Sequence, residues 1–214
     1  TLQFVPWRQF AFEELAAALL PAWNPYVGAG APLLANYQSA VFYPPHWLLL
    51  LLPVPQALSW IALAHVIWAG LGMWLFAAAL GLSEFGRSVS ALAFACSGYL
   101  LARLGSYPTL DAAAWLPWIV WLVHRATGRR LPRDAAWLAL AVGMQLLAGH
   151  AQTAWYTAVG AGLYMLWRVG WAQRADPVRA RIGALAAAGS GLALGVALAA
   201  VQLVPPAGYL AESP

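Results

Sequence analysis

The 214-residue sequence has no lysine and carries 11 arginines against 7 acidic residues. Charged side chains make up 8% of it, compared with about 25% in an ordinary soluble domain. So few charges cannot cover a water-soluble globule of this size. A soluble enzyme, a disordered tail and a nucleic-acid binder are therefore excluded. One cysteine, Cys96, forbids an internal disulfide, and its run Ala-Phe-Ala-Cys-Ser-Gly reads as helix packing. The sequence lacks a P-loop, a Gly-x-Gly-x-x-Gly turn after a strand, His-Glu-x-x-His, Cys-x-x-Cys and Gly-x-Ser-x-Gly. ATP-driven transport, zinc hydrolysis and serine-nucleophile chemistry lose their support with them. No signal peptide opens the chain at Thr1, and its end follows closely on an apolar stretch. The chain reads as an internal segment of a longer membrane protein.

What is present is apolar, at 63% of residues. A spanning helix needs about 17–25 mostly apolar residues. Six stretches qualify or nearly do: Gln56–Leu80, Ser88–Ala102, Asp111–His124, Asp134–Gly149, Thr153–Trp167 and Ile182–Val204. Arginine placement gives an independent test. Arg125, Arg129, Arg130 and Arg133 share one gap, and Arg168, Arg174, Arg179 and Arg181 share another. If both gaps face the cytoplasm, an even number of spans separates them. A single helix over residues 134–167 would run about 51 Å, too long for a ~30 Å hydrocarbon core. Two helices breaking near Gly149-His150 restore the parity and place Arg87 inside as well. Only Arg8 and Arg103 then fall outside. Several tryptophans (Trp47, Trp60, Trp115, Trp155, Trp167 and Trp171) fall near span ends, whereas Trp68 and Trp74 lie deeper as packing residues. Gly189, Gly191 and Gly195 suit close helix approach.

The expected fold is thus an all-α, polytopic transmembrane bundle of about six spans in a bacterial cytoplasmic membrane. Residues 1–55 form an extracytoplasmic first loop, 56–204 the bundle, and 205–214 the start of the next outer loop. Within the first loop, Pro6–Leu20 predicts an amphipathic helix lying in the interface. Residues 21–45 carry no charge but five prolines, two glycines, two asparagines and three tyrosines. That punctuation excludes a regular helix, while its aromatic content is too high for a solvated coil. It predicts an ordered loop packed on the membrane face.

This sidedness gathers the unusual polar residues outside. Asn24, Asn36 and Gln38 suit sugar hydroxyls, and equally suit loop backbone groups. Arg103 and Asp111, flanking one outer turn, form either a structural ion pair or part of a substrate site. His150, in Ala-Gly-His-Ala-Gln-Thr, is either part of a catalytic floor or the cap of an interfacial turn. His65 is expected to hydrogen-bond inside the bundle. His46 and His124 read as ordinary interface residues.

The loop from Pro21-Ala-Trp-Asn-Pro-Tyr-Val-Gly-Ala-Gly to Leu-Leu-Ala-Asn-Tyr-Gln-Ser-Ala-Val-Phe-Tyr-Pro44 resembles the first outer loop of YfhO-like bacterial membrane proteins. These are similar to the GT-C class of integral membrane glycosyltransferases. Leu80-Gly-Leu-Ser, Ala114-Trp-Leu-Pro-Trp and Leu147-Ala-Gly-His-Ala-Gln-Thr fit the same resemblance. It implies transfer of a sugar from a polyprenyl-phosphate carrier to an envelope glycan, lipid or protein, with membrane lipid the other partner and nucleic acid none. The class places a catalytic aspartate in this loop; none precedes Asp111 here, so that carboxylate is expected upstream of Thr1 and the segment alone is expected to be inactive. Transfer needs a carboxylate for the acceptor proton and positive charge or a divalent metal for the departing phosphate. The candidates are Glu13, Asp111 and His150 for catalysis, with Glu14 assisting. Arg8, Asn24, Asn36, Gln38, Tyr43, Arg103 and Gln152 are candidates for substrate binding. No metal ligands can be named. A transporter of lipid-linked saccharide or polymer, and a non-catalytic membrane assembly protein, are the competing functions.

Overall fold

Proline and serine set where the helices begin. The computed structural model describes residues 4–129 and 131–212. Helix α2 (Val54–Ala79) starts behind Pro53 with Pro55 in its first turn, and α5 (Tyr107–Ala113) carries Pro108 in the same place. Helix α7 (Pro132–Leu147) opens on proline and α9 (Val178–Leu198) follows one. Proline suits these positions because the first turn needs no N–H. Ser83 and Ser97 cap α3 (Glu84–Ala95) and α4 (Gly98–Leu101) through Gly86 N and Leu100 N. The remaining helices are α1 (Phe4–Ala16), α6 (Leu116–Arg129), α8 (Ala151–Trp167), which runs into a π turn at Arg168–Ala172, and α10 (Ala200–Glu212).

Among the described residues the secondary structure is all-helical apart from one two-residue antiparallel ribbon, β1 (Trp23–Asn24) with β2 (Ala31–Pro32). Among the described residues two helices, α2 and α9, are long and apolar enough to cross a membrane. Large apolar side chains face outward along them and along α8, among them Ile67 at 62%, Leu163 at 63% and Ile182 at 61% exposure. An apolar exterior spread over neighbouring helices has no place in water and points to membrane association. The other expected spans are shorter or broken. The Ser88–Ala102 stretch divides at Cys96-Ser97, Asp111–His124 divides at Ala114-Trp115, and Ile182–Val204 ends at Ala199. Residues 205–212, expected as loop, continue as α10 with Pro205 and Pro206 inside it. The helix expected over Pro6–Leu20 runs from Phe4 to Ala16, and Ala18 then takes a left-handed φ of 58°. Arg8 of this helix is 1% exposed and faces the protein, whereas Glu13 is exposed.

Close approach of α7 and α9 is made possible by glycine. A Cβ on Gly191 would sit 2.8 Å from Ala135 O, and one on Gly195 would sit 2.5 Å from Val142 Cβ. Gly189 meets nothing within 4 Å and takes no part. On the other side Gly72 of α2 opens a slot for the Trp118 ring, which stacks on Trp68 at 4.0 Å. Trp68 is the packing residue its depth predicted.

The contacts separate two ends. At one, Arg125 pairs with Asp134, Arg168 Nε donates to Thr127 Oγ1, and Arg181 Nε donates to Val169 O. At the other, Ala40 and Tyr43 of the first loop pack with Ala112 and Ala148. The loop is ordered there by 3-10 turns at Tyr37–Ser39 and Pro44–Leu50. Tyr37 donates its hydroxyl to Leu146 O at 2.6 Å, and Gln202 donates to Tyr37 O at 2.9 Å. Gly149, at φ +83°, lets this segment settle on the α7–α8 turn, since a Cβ there would stand 2.6 Å from Tyr37 O.

Candidate functional site

Asp111 opens the second turn of α5, and its side chain is fully buried under the first loop. Three basic groups from three separate elements surround it. His46 Nε2, from the 3-10 turn, lies 2.8 Å from Oδ2. Arg8 NH2, from α1, lies 3.8 Å from the same oxygen. His65 Nδ1, from α2, lies 3.6 Å from Oδ1 and donates to Ile61 O at 2.7 Å. Beyond His65 the chain of contacts continues: the Tyr43 hydroxyl donates to His65 Nε2 at 2.6 Å and accepts from Trp115 Nε1 at 2.8 Å. A carboxylate this deep is tolerable only with such partners.

Arg8 NH1 approaches His46 Nε2 at 2.7 Å, while His46 Nδ1 donates to Ala40 O. A neutral His46 accepts from Arg8, whereas a protonated one donates to Asp111. Burial, and then the Arg8 charge, push the His46 imidazole down to about 4, so the neutral form holds at neutral pH. Burial also draws the Arg8 guanidinium below its ordinary value, opposed by Asp111. The Tyr43 phenol is pushed well up, first by burial and then by Asp111.

The network ends at a cavity. Tyr43, Pro45, Ala64, His65, Trp68, Trp115 and Met144 line an apolar, aromatic-walled space of about 290 Å³. Tyr43 and His65 are thus members of both the network and the wall. Two further clefts flank Glu13 on the outer side of α1, of about 410 and 490 Å³. Glu13 is exposed and accepts from Gln9 Nε2. Among the described residues no three His, Cys, Asp or Glu side chains are arranged to hold a metal ion.

Of the expected site residues, Arg8, Tyr43 and Asp111 come together. Arg103 does not pair with Asp111; it is exposed, with its guanidinium 5.7 Å above the Tyr99 ring. The loop folds back and supplies Arg8 and His46 instead. Asn24 and Asn36 take the backbone role, accepting from Tyr26 N and Gln38 N. Gln38 stands in the turn that meets Gly149. His150 caps α8, its Nδ1 accepting from Thr153 N at 3.2 Å, so the capped turn is the arrangement present. Partial burial, then the Arg103 charge, lower its imidazole. Gln152 bonds the exposed Tyr156 hydroxyl. His65 hydrogen-bonds inside the bundle as expected. His46 is no interface residue but fully buried at the centre of the network; the sequence signal for that role was its being the one histidine of residues 1–55. No known protein family, curated protein or solved structure matches the chain.

Proposed function

We propose that the protein is a membrane glycosyltransferase of the GT-C kind, similar to YfhO-like proteins, moving a sugar from a polyprenyl-phosphate carrier to an envelope acceptor at the outer face. The observation that carries this reading is the Asp111–His65–Tyr43 chain ending on the wall of an aromatic cavity. Helices α2, α3 with α4, α5 with α6, α7, α8 with its π turn, and α9 would make six passages. The arginine-bearing end would then face the cytoplasm and the Asp111 end the outside.

In such a transfer the acceptor oxygen bonds to the anomeric carbon, and the carbon–oxygen bond to phosphate breaks. The phosphate leaves with the electron pair, and the acceptor proton must go to a base. The Tyr43 oxygen would accept that proton as its own passes to His65 Nε2. Asp111 would stabilise the imidazolium so formed, and the Trp115 N–H the phenolic oxygen. Aromatic walls suit the apolar face of a sugar ring. Exposed Arg103 is the candidate for the departing phosphate.

The test uses the full-length protein, polyprenyl phosphate carrying radiolabelled glucose or mannose, and envelope membranes as acceptor. Tyr43→Phe should lower transfer by about 10²–10⁴-fold while the protein remains folded. Transfer by Tyr43→Phe at the wild-type rate sinks the reading. The complete burial of Asp111 favours one second reading, a non-catalytic assembly protein in which the network clamps the first loop. In that case the wild type transfers no sugar and Asp111→Asn only lowers stability.

A further inference from the structure

The arginine-bearing end holds a cavity that the outer chemistry does not use. Its volume is about 380 Å³, and Leu75, Ala78, Ala79, Trp121, His124, Arg125, Gly128 and Arg168 line it. Arg125 is oriented from two sides: its guanidinium lies 4.8 Å from the Trp121 ring centre, and one NH2 group meets Asp134. Its Nε is buried with no hydrogen-bond partner. Arg168 is held by neutral groups, donating Nε to Thr127 Oγ1 and lying beside the Tyr164 hydroxyl. Hydroxyls orient a guanidinium without cancelling its charge. Gly128 makes room for it, since a Cβ there would meet Arg168 NH2 at 3.1 Å. His124 uses Nδ1 on Tyr164.

We infer that this cavity binds a phosphate group, and that the group is the headgroup phosphate of an anionic lipid. Two guanidiniums on the wall of one cavity match phosphate oxygens, which arginine engages with paired, charge-assisted hydrogen bonds. The remaining wall decides between sources. Leu75, Ala78 and Ala79 lead onto the apolar exterior of α2 and its C-cap, where Leu71 and Leu80 are 45% and 50% exposed. A soluble phosphate has no use for that surface, whereas acyl chains do. The choice of a lipid rests on the membrane reading; the phosphate site itself does not.

The experiment follows the thermal midpoint of the full chain in neutral detergent with added phosphatidylglycerol, phosphatidylcholine or sodium phosphate. Saturating phosphatidylglycerol should raise the midpoint by about 5 °C or more, with phosphatidylcholine giving under half of that rise. Arg168→Gln should remove most of the rise. Ala79→Trp, which fills the cavity from α2 and leaves both arginines intact, should do the same. A rise with sodium phosphate that Arg168→Gln abolishes upholds the phosphate site and assigns it a soluble ligand, independently of the membrane reading. Equal rises with both lipids, or a full rise retained in both variants, overturn the site. Should Arg168→Gln not fold, lipid adducts counted by native mass spectrometry on Ala79→Trp decide the matter.

Discussion

At the scale of single residues, the buried contacts among Arg8, His46 and Asp111 make stability depend on pH. An unfolded histidine titrates near 6.5, whereas folded His46 titrates at about 4. Between those values the unfolded chain holds a proton that the folded chain refuses, so stability rises with pH across the window. It is complete above pH 6.5 and lost as pH falls, by about 3 kcal/mol at pH 4. The thermal midpoint in detergent should drop between pH 7 and 4, and His46→Gln should flatten that drop. Removing the carboxylate is more severe. Asp111→Leu leaves Arg8 buried without its counter-charge, and a loss of about 3–5 kcal/mol is expected, read as a lower midpoint at neutral pH. The sequence put Arg8, Tyr43 and Asp111 among its candidates from their residue type and expected side of the membrane, and the fold brings these three together. The sequence could not supply Asp111's partners, because the His46 contact joins residues 65 positions apart. Arg103 was merely the nearest arginine along the chain.

Among the elements, hydropathy made the helical stretches readable because it is a local property of each segment. The breaks within them were not readable. Ser97 interrupts one stretch by capping α4, and Ala199 ends α9 where α10 turns toward Tyr37. Those depend on which neighbours a turn meets. The small-residue stripe of α9 was legible as a packing face, yet only Gly191 and Gly195 of it touch α7. Gly195→Val should therefore destabilise the protein by about 1–3 kcal/mol through overpacking, whereas Gly189→Val should shift the midpoint little. Gly149→Ala combines a left-handed backbone with a 2.6 Å clash against Tyr37 O. Proteolysis should then cut the first loop faster than in the wild type, because the loop loses its seat.

For the molecule as a whole, the placement of charge gives an expectation of orientation that composition alone does not. The arginine rule separated Asp111 and His150 from Arg125 and Arg168, and the contacts keep those pairs at opposite ends. Its membrane orientation is open to direct test. In a Cys96→Ala background, Gln152→Cys should react with an impermeant thiol reagent on intact cells. Arg174→Cys should react only after the cells are opened. Reversed labelling would place the Asp111 network in the cytoplasm.

The span between Arg8 and Asp111 also bears on biosynthesis. The guanidinium leaves the ribosome 103 residues (111 − 8) ahead of the carboxylate that it joins. At about 5–20 residues per second, translation keeps the two apart for roughly 5–20 s. During that interval the amino-terminal segment cannot complete its docking, and the aromatic cavity lacks its Trp115 wall. Closure of the first loop over Asp111 is consequently a late event, timed by arrival of α5 and α6 rather than by the loop's own sequence.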